Sequence, residues 1–215
     1  GDIATFSKGA SIPRNRISAI NTIPYLHYGD VYKLYHRLVS LDSEFDHIAK
    51  VSANERFRND QLLDTGDIVY NLTSETKDDI GKSVLIENTT CQKFLAGTET
   101  TVLKIIRKDL IAPGFLNYIL MSNSYLSEFR RFATGTKVYR VHPRAIKKIK
   151  IPVPPLTEQK RIVSILDRFD TLVNGITIGL PAELAARRNQ YEYYRDKLLT
   201  FKPRPESGEP SVNPA

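Results

Sequence analysis

The sequence predicts an α+β protein, in which a mixed globular domain is followed by a long, kinked α-helix. Strand-like β-branched runs at 68–70, 83–87 and 100–106 predict the sheet, and an amphipathic stretch after Pro155 predicts the helix. The expected parts are a globular domain at 1–150, a proline corner at 151–156, a long helix at 157–201 and a disordered tail at 202–215.

The composition predicts a folded protein and restricts its chemistry. The chain has 215 residues, a net charge of +7 and 41% hydrophobic residues, enough to bury a core. Because Cys91 is the single cysteine, an intrachain disulfide and a thiolate zinc cluster are excluded. The sequence has no apolar run of bilayer length and no secretory signal pattern, so we expect a cytoplasmic protein without membrane contact.

Other elements of the globular domain follow from turn residues and apolar spacing. Pro113 is expected to begin a helix with one apolar face that ends near Gly135. A short helix is expected at 142–148. Residues 3–40 stay ambiguous, because tyrosines recur there at roughly helical spacing while Pro24 and a Gly-Asp pair favour strand and turn.

The proline corner and the long helix form one pattern. Pro152, Pro154 and Pro155 fix φ and remove donors, so the corner should be extended, and Thr157 is the expected N-cap. Apolar residues then recur at alternating steps of four and three, which is a heptad pattern that requires a partner helix. Pro181 predicts a kink or short break, and the whole stretch would reach roughly 65 Å. The expected helix-pairing residues are Ile162, Leu166, Phe169, Val173, Ile176, Leu180, Leu184, Tyr191 and Leu198.

An ordinary C-terminal helix that folds back on its own core is the alternative for this stretch.

Residues 130–150, here called the basic segment, are the main source of the excess of positive over negative charge. They contain eight Lys or Arg and no acid, interleaved with Phe132, Tyr139 and His142. Such a cluster is typical of a surface that follows a phosphate backbone. A solvated basic face with no ligand is the alternative.

The sequence shows little sign of catalysis. It has no Gly-rich phosphate loop, nucleophile elbow or paired-His zinc motif. Asp64 or Asp67 followed by Glu75-Thr76-Lys77 is similar to the core of Mg²⁺-dependent nucleases, in which carboxylates hold the metal. A nuclease is therefore a minor alternative, because a match of this size often arises by chance and 75–79 lacks strand character.

Several stretches together resemble one family. They are IPVPPLTEQKRIVSILDRFD, GLPAELAARRNQYEYYRDKLLTF, GDIATFSKG, LLDTGDIVYNLT and TGTKVYRVHPRAIKKIKIPVPP. The chain resembles the specificity subunits of type I restriction-modification systems, in which a target recognition domain is followed by a conserved helical region. Members usually carry two of each, whereas this chain carries one, which indicates a half subunit or a fragment.

The resemblance implies a non-catalytic protein that recognises one half of a split sequence in double-stranded DNA. The helices of the family pair as an antiparallel coiled coil that sets the spacing between two domains. Methylation subunits and a restriction subunit are the implied protein partners, and S-adenosylmethionine, Mg and ATP belong to them, so this chain binds no cofactor. For a half subunit, we expect a homodimer through the long helix.

DNA contacts are expected from the basic segment and two loops. Phosphate contacts are assigned to Lys137, Arg140, Arg144, Lys147 and Lys148, and base contacts to Thr136, Tyr139, Arg140 and the loop at 71–77. Lys8, Arg14 and Arg16 would form a second wall. The full set of candidates is Lys8, Arg14, Arg16, Asn71, Thr73, Ser74, Lys77, Thr136, Lys137, Tyr139, Arg140, Arg144, Lys147 and Lys148.

A coiled-coil interaction protein, whose basic patch binds an acidic partner, is the other class consistent with the sequence.

Overall fold

The computed structural model describes residues 3–18, 22–147, 149–174 and 181–201. The strands are β1 (Ala4–Lys8), β2 (Ile23–Leu26), β3 (Leu38–Ser40), β4 (Lys50–Val51), β5 (Ile68–Asn71), β6 (Thr73–Ser74), β7 (Ser83–Glu87), β8 (Leu95–Ala96), β9 (Thr100–Ile105) and β10 (Tyr139–Arg140). The α-helices are α1 (Tyr28–Lys33), α2 (Leu41–Glu44), α3 (Pro113–Leu120), α4 (Asn123–Arg130), α5 (Pro143–Ile146), α6 (Leu156–Asn174) and α7 (Pro181–Leu199).

A five-stranded sheet of order β1-β9-β5-β7-β3 lies at the centre of the domain. Its strands pair antiparallel except for β3 and β7, which are parallel. Ile68 and Tyr70 lie in the core on one face of the sheet, and Val69 lies in the core on the other face. Because successive strand residues point to opposite faces, burial on both sides accounts for the unbroken apolar run in the sequence.

Helices cover both faces of this sheet. Helices α3, α4, α6 and α7 contribute to the larger core, while α1 and α2 contribute to the second. The sequence predicted one helix from Pro113, but the chain forms α3 and α4 instead. Ser122 separates them, because its Oγ accepts a hydrogen bond from the Tyr125 N–H at 3.4 Å and so caps α4.

Two smaller sheets complete the domain and carry the loops discussed below. Strands β4, β2 and β8 form a three-stranded sheet over a third, smaller core. Strands β6 and β10 form an antiparallel pair. The ambiguous N-terminal region contains strand β2, which includes Pro24, followed by helix α1. The Gly-Asp pair lies inside α1 and does not form the expected turn.

The C-terminal region forms two helices rather than one rod. Helix α6 begins at Leu156, one residue before the expected cap, and α7 begins at Pro181 after residues that lie outside the described ranges. The Phe169 ring on α6 and the Tyr194 ring on α7 are stacked with centroids 6.0 Å apart. Phe201, just past α7, lies 6.2 Å from Phe115 in the domain. Helix α7 therefore runs back along α6 toward the domain.

Eight of the nine expected helix-pairing residues divide into three groups, and the ninth, Phe169, stacks on Tyr194 of the same chain. Ile162 and Leu166 are 1% and 0% exposed in the larger core, so they pack on the chain's own domain and not on another chain's helix. This corrects the sequence interpretation for these two positions. Tyr191 and Leu198 are half-buried against the same core. Ile176 and Leu180 lie outside the described residues, as do the side chains of Val173 and Leu184.

Polar contacts fix α6 to the domain. The Gln159 side chain is fully buried; its amide donates to the Leu110 and Pro154 carbonyl oxygens at 2.8 and 2.7 Å. Its oxygen accepts from the Ala112 N–H at 2.8 Å. Since every polar atom of this amide has a partner, its burial costs little and holds the start of α6 against the domain. No helix in the described part of the chain is long and apolar enough to cross a membrane.

Candidate nucleic-acid interface

A tight, solvent-exposed hairpin lies within the basic segment. Thr134 and Arg140 exchange backbone hydrogen bonds, with N···O distances of 2.9 and 2.8 Å. Gly135 has φ of +114°, and a Cβ there would lie 2.1 Å from the Val138 carbonyl oxygen. The hairpin therefore requires glycine at this position. Residues 134–138 are exposed, including Lys137.

Strand pairing fixes the base of the hairpin. Strand β10 pairs with β6, with Tyr139 opposite Ser74 and Arg140 opposite Thr73. The Val141 N–H adds a 3.0 Å hydrogen bond to the Leu72 carbonyl oxygen. The basic segment is thus held against the strand that extends β5, and it is not a loose surface loop.

A cleft of about 520 Å³ lies beside this hairpin. The end of β1, strand β6, the turn at 97–100 and the start of α5 form its walls. Three of the predicted DNA-binding residues meet in it: Lys8, Thr73 and Arg140. The lining residues that the sequence analysis did not assign to DNA binding include Thr98, Glu99, Thr134 and His142.

Glu99 is the one acidic residue among those lining the cleft. Its backbone has φ of +60°, which is uncommon for a residue with a side chain. The Thr73 hydroxyl donates a 2.8 Å hydrogen bond to Glu99 Oε2, and Arg140 Nε lies 4.0 Å from the same oxygen. Nothing local in the sequence marks this residue, because both partners are distant in the chain.

A buried tyrosine holds the loops that line the cleft. The Tyr25 side chain is 0% exposed, and its hydroxyl accepts from the Thr98 N–H at 2.6 Å and contacts the Ala10 carbonyl oxygen at 3.0 Å. The Ile12 N–H donates to Thr98 Oγ1 at 3.2 Å. These bonds connect the first loop to the turn at 97–100, so two walls of the cleft are positioned by one side chain.

Two predicted base-reading residues are buried. Asn71 is 0% exposed; its amide donates to the Asp79 carbonyl oxygen, and its Oδ1 accepts from the Thr73 N–H. Ser74 is 2% exposed, and its Oγ accepts from the Thr76 N–H. We correct these two assignments, because buried side chains with satisfied polar atoms shape the loop and do not reach DNA.

The other candidates that the structure describes are not among the residues that line the cleft. Thr136, Lys137, Lys77 and Arg144 are exposed, while the Tyr139 ring packs partly on the larger core. Lys147 is exposed, and its ammonium group lies 5.6 Å from the centre of the Phe6 ring. Lys148 lies outside the described residues.

The second wall proposed from the sequence lies on the first loop. Arg14 and Arg16 form a 3-10 turn and are exposed, and Arg16 pairs with Glu55 at 3.3 Å. They do not line the cleft described above.

The nuclease-like residues do not come together. Asp64 and Asp67 precede β5 and both bind the Lys104 ammonium group, at 3.2 and 2.6 Å. Glu75 and Lys77 follow β6, beyond the opposite end of β5. Burial raises the pKa of the Asp67 carboxyl, which its hydrogen bonds to the Asp64 N–H and Lys104 oppose. Within the described ranges, no group of three His, Cys, Asp or Glu residues is placed to hold a metal.

Comparisons with known proteins agree on one family. A model described as "Type I restriction modification DNA specificity domain" matches residues 1–186. The Escherichia coli "Type I restriction enzyme EcoR124I/EcoR124II specificity subunit" is 32% identical over 211 residues, which is 96% of this chain and 48% of that protein. A putative type I specificity subunit of Haemophilus influenzae is 47% identical over 87 residues, 38% of this chain and 23% of that protein.

Solved structures share the fold. The S subunit of a type I system from M. genitalium matches with a TM-score of 0.55 and 14% identity, covering 81% of this chain and 38% of that chain. The HsdS subunit of Thermoanaerobacter tengcongensis matches with a TM-score of 0.55 and 18% identity, covering 92% and 43%. The chain spans about half the length of the E. coli relative and less of the others.

Proposed function

Because this chain belongs to the family of type I restriction modification DNA specificity domains, we propose that it recognises one part of a split DNA sequence and itself catalyses no reaction. The observation that carries the proposal is the hairpin at 134–140, which the β6–β10 pair holds beside the cleft. A fixed, exposed, basic element is what base reading requires, since the position of each side chain must be reproducible.

The two sides of the interface have different roles. Lys137, Arg144 and Lys147 are exposed cations, and they contact phosphates and set the register without reading sequence. Arg140 and Thr136 read base edges in the major groove, because a forked guanidinium matches the two acceptors of guanine. Lys8, on the opposite wall of the cleft, contacts the backbone across the groove.

Helices α6 and α7 position the domain relative to a second reader. After α6 buries Ile162 and Leu166, apolar side chains remain exposed on the helix pair: Leu172 at 57%, Tyr193 at 60% and Tyr194 at 39%. They form an antiparallel coiled-coil contact with a second helical region. In a longer subunit that region belongs to the same chain, and in a half subunit it belongs to an identical chain, which gives a homodimer that prefers an inverted repeat.

The rest of the complex supplies the chemistry. Methylation subunits and a restriction subunit bind this chain in the cytoplasm. S-adenosylmethionine, Mg and ATP are used by those subunits and not by this one. One solved structure that matches with a TM-score of 0.58, at 17% identity, covers 92% of this chain and comes from work on "complex assembly and conformational transition of the type I R-M system".

Selection from random double-stranded DNA tests the proposal. The chain, with its methylation subunits, is incubated with the library, and the bound fraction is sequenced. We expect enrichment of one short sequence, or of an inverted repeat of it for a homodimer. Binding without enrichment of any sequence would support the alternative of an interaction protein with a basic patch. The double variant Lys137→Ala with Arg140→Ala serves as the control for binding through the hairpin.

A further inference from the structure

We infer that Arg140 and Glu99 together read one G·C base pair, with guanine on the Arg140 side and cytosine on the Glu99 side. The inference rests on the proposed function and assigns a specificity role to a residue that the sequence analysis did not single out. It follows from the charge, the spacing and the backbone of these two residues.

The two side chains are adjacent, opposite in charge and open to solvent. Arg140 Nε and Glu99 Oε2 are 4.0 Å apart, and the side chains are 64% and 44% exposed. At this separation and exposure the pair contributes little to stability, because water screens it. Both groups line the same cleft and remain available to a ligand.

Glu99 keeps a free acceptor. Thr73 donates to Oε2, and no donor within the described residues bonds Oε1. A carboxylate in a DNA-binding cleft lowers the affinity for DNA, because its negative charge is repelled by the phosphates of the DNA backbone. Its presence is useful only where it accepts a hydrogen bond from DNA, and in the major groove the available donors are the amino groups of cytosine and adenine.

The pair matches one base pair better than the others. Across the major groove, a G·C pair presents two acceptors on guanine and then the cytosine amino donor. A guanidinium beside a carboxylate presents the complementary order of donors and acceptor. An A·T pair interrupts this order with a central donor. A reversed C·G pair sets the carboxylate against the guanine acceptors, where it is repelled. The pair therefore fixes the orientation of the base pair as well as its identity.

The backbone holds Glu99 where a glycine would be less strained. Its φ of +60° places it in the left-handed region, and the Thr100 N–H bonds the Gly97 carbonyl oxygen at 3.2 Å to close the turn. The Thr100 hydroxyl bonds the same carbonyl oxygen at 2.6 Å. Residues other than glycine that adopt a strained backbone conformation are concentrated at functional sites. The conformation of Glu99 therefore supports a functional role for its side chain.

Base preferences of single variants test the inference. The parent chain, Glu99→Ala and Arg140→Ala, each with methylation subunits, are selected on random double-stranded DNA, and affinities are then measured on duplexes that differ at one base pair. We expect the parent to prefer one G·C pair. Each variant should lose about 10-fold or more of the discrimination at that same pair and keep its preferences elsewhere.

Two controls separate base reading from a structural role. Glu99→Gly removes the carboxylate and suits the left-handed backbone, so it should unfold at a temperature no lower than the parent and show the same loss of discrimination. Thr73→Val removes the hydroxyl that holds Glu99 but leaves the carboxylate, so its preference for the pair should survive in weakened form.

The possible outcomes are distinct. If the Glu99 variants weaken all sequences equally, or if Glu99 and Arg140 variants affect different base pairs, the inference is overturned and Glu99 only anchors the hairpin. Unchanged preferences in the Glu99 variants overturn it as well. If the parent itself enriches no sequence, the proposed function fails, and the inference fails with it.

Discussion

The Tyr118 hydroxyl donates a 2.7 Å hydrogen bond to Asp167 Oδ1, which joins helix α3 of the domain to helix α6. Arg37 lies over the Tyr118 ring at 4.9 Å, and its guanidinium pairs with Asp167 and Asp170 at 3.1 and 3.6 Å. Burial raises the pKa of the Tyr118 hydroxyl far above its ordinary value, so it stays protonated and remains a donor. These contacts hold helix α6 against the domain.

Removal of this hydroxyl should lower stability. We expect Tyr118→Phe to reduce the free energy of unfolding by about 1 kcal/mol, because Asp167 is partly exposed and keeps its pair with Arg37. Urea unfolding monitored by circular dichroism measures the change. Tyr32→Phe is the matched control, since the Tyr32 hydroxyl makes no hydrogen bond within the described residues, and it should leave the urea midpoint unchanged. Equal midpoints for Tyr118→Phe and the parent would contradict this account.

Gly135 should be essential for DNA binding and nearly dispensable for the core. In Gly135→Ala, the new Cβ would lie 2.1 Å from the Val138 carbonyl oxygen, so the hairpin must rearrange against roughly 1–3 kcal/mol of strain. We expect sequence-specific binding to be lost while the thermal unfolding midpoint changes little. Gly29→Ala, in helix α1 where the Cβ meets no atom closer than 3.4 Å, is the control and should bind normally. Normal binding by Gly135→Ala would show that the hairpin does not read DNA.

The phosphate contacts predict a defined salt dependence. Lys147→Ala combined with Lys148→Ala should weaken binding to all DNA sequences alike, because each lysine neutralises a phosphate and releases counterions. The slope of log affinity against log salt should fall in magnitude by about 1.8, at ~0.9 per contact. Fluorescence anisotropy over a range of salt concentrations measures it. A loss confined to one sequence, with an unchanged slope, would reject the phosphate assignment.

His27 makes helix α1 sensitive to pH. Its Nδ1 accepts a 3.2 Å hydrogen bond from the Gly29 N–H and thereby caps the helix, so the ring must be neutral at that nitrogen. Burial lowers the pKa of His27 below its ordinary value of 6.5; Asp30 opposes this, and Arg14 and Lys33 add to it. Below pH 6.5 the unfolded chain therefore binds more protons than the folded chain.

Stability should consequently fall as the pH decreases from 7.5 through 6.5 toward the lowered pKa of His27, by at most about 1 kcal/mol. His27→Ser keeps a capping oxygen and should reduce this dependence. His47→Asn, at an exposed position outside α1, should retain it. Urea unfolding at several pH values measures the effect, and an unchanged slope in His27→Ser would exclude the cap as its source.

Oligomeric state tests the helical interface. Light scattering should give the mass of a dimer, twice the 24.4 kDa of one chain. The double variant Leu172→Glu with Tyr193→Glu should have the mass of a monomer, because charges replace the apolar contact. Both residues are exposed in the single chain, at 57% and 60%, so the substitutions spare its own core. Phe169 is unsuitable, because it stacks on Tyr194 within the chain. A mass of 24.4 kDa for both proteins would contradict the homodimer.

Local patterns in the sequence were sufficient for many of the elements. The strands around Ile68, Ser83 and Thr100 and the short helix after His142 all occur, because β-branched runs and capping residues act over a few positions. The heptad pattern correctly marked α6 as having one apolar face. The basic segment could also be located from the sequence, because the positions of Lys, Arg, Asp and Glu are read from it directly.

Only the tertiary structure decided which surfaces those elements present. The sequence pattern at Ile162 and Leu166 is consistent with packing on a partner helix and with packing on the chain's own core. In the structure both side chains are buried in the chain's own core. Asn71 is polar yet buried, because loop carbonyl and amide groups satisfy it. Glu99 joins Thr73 and Arg140 through turns and strand pairing across long chain separations. Periodicity and charge act locally and are written in the sequence, whereas a cleft requires distant segments to meet, and this depends on the packing of the whole domain.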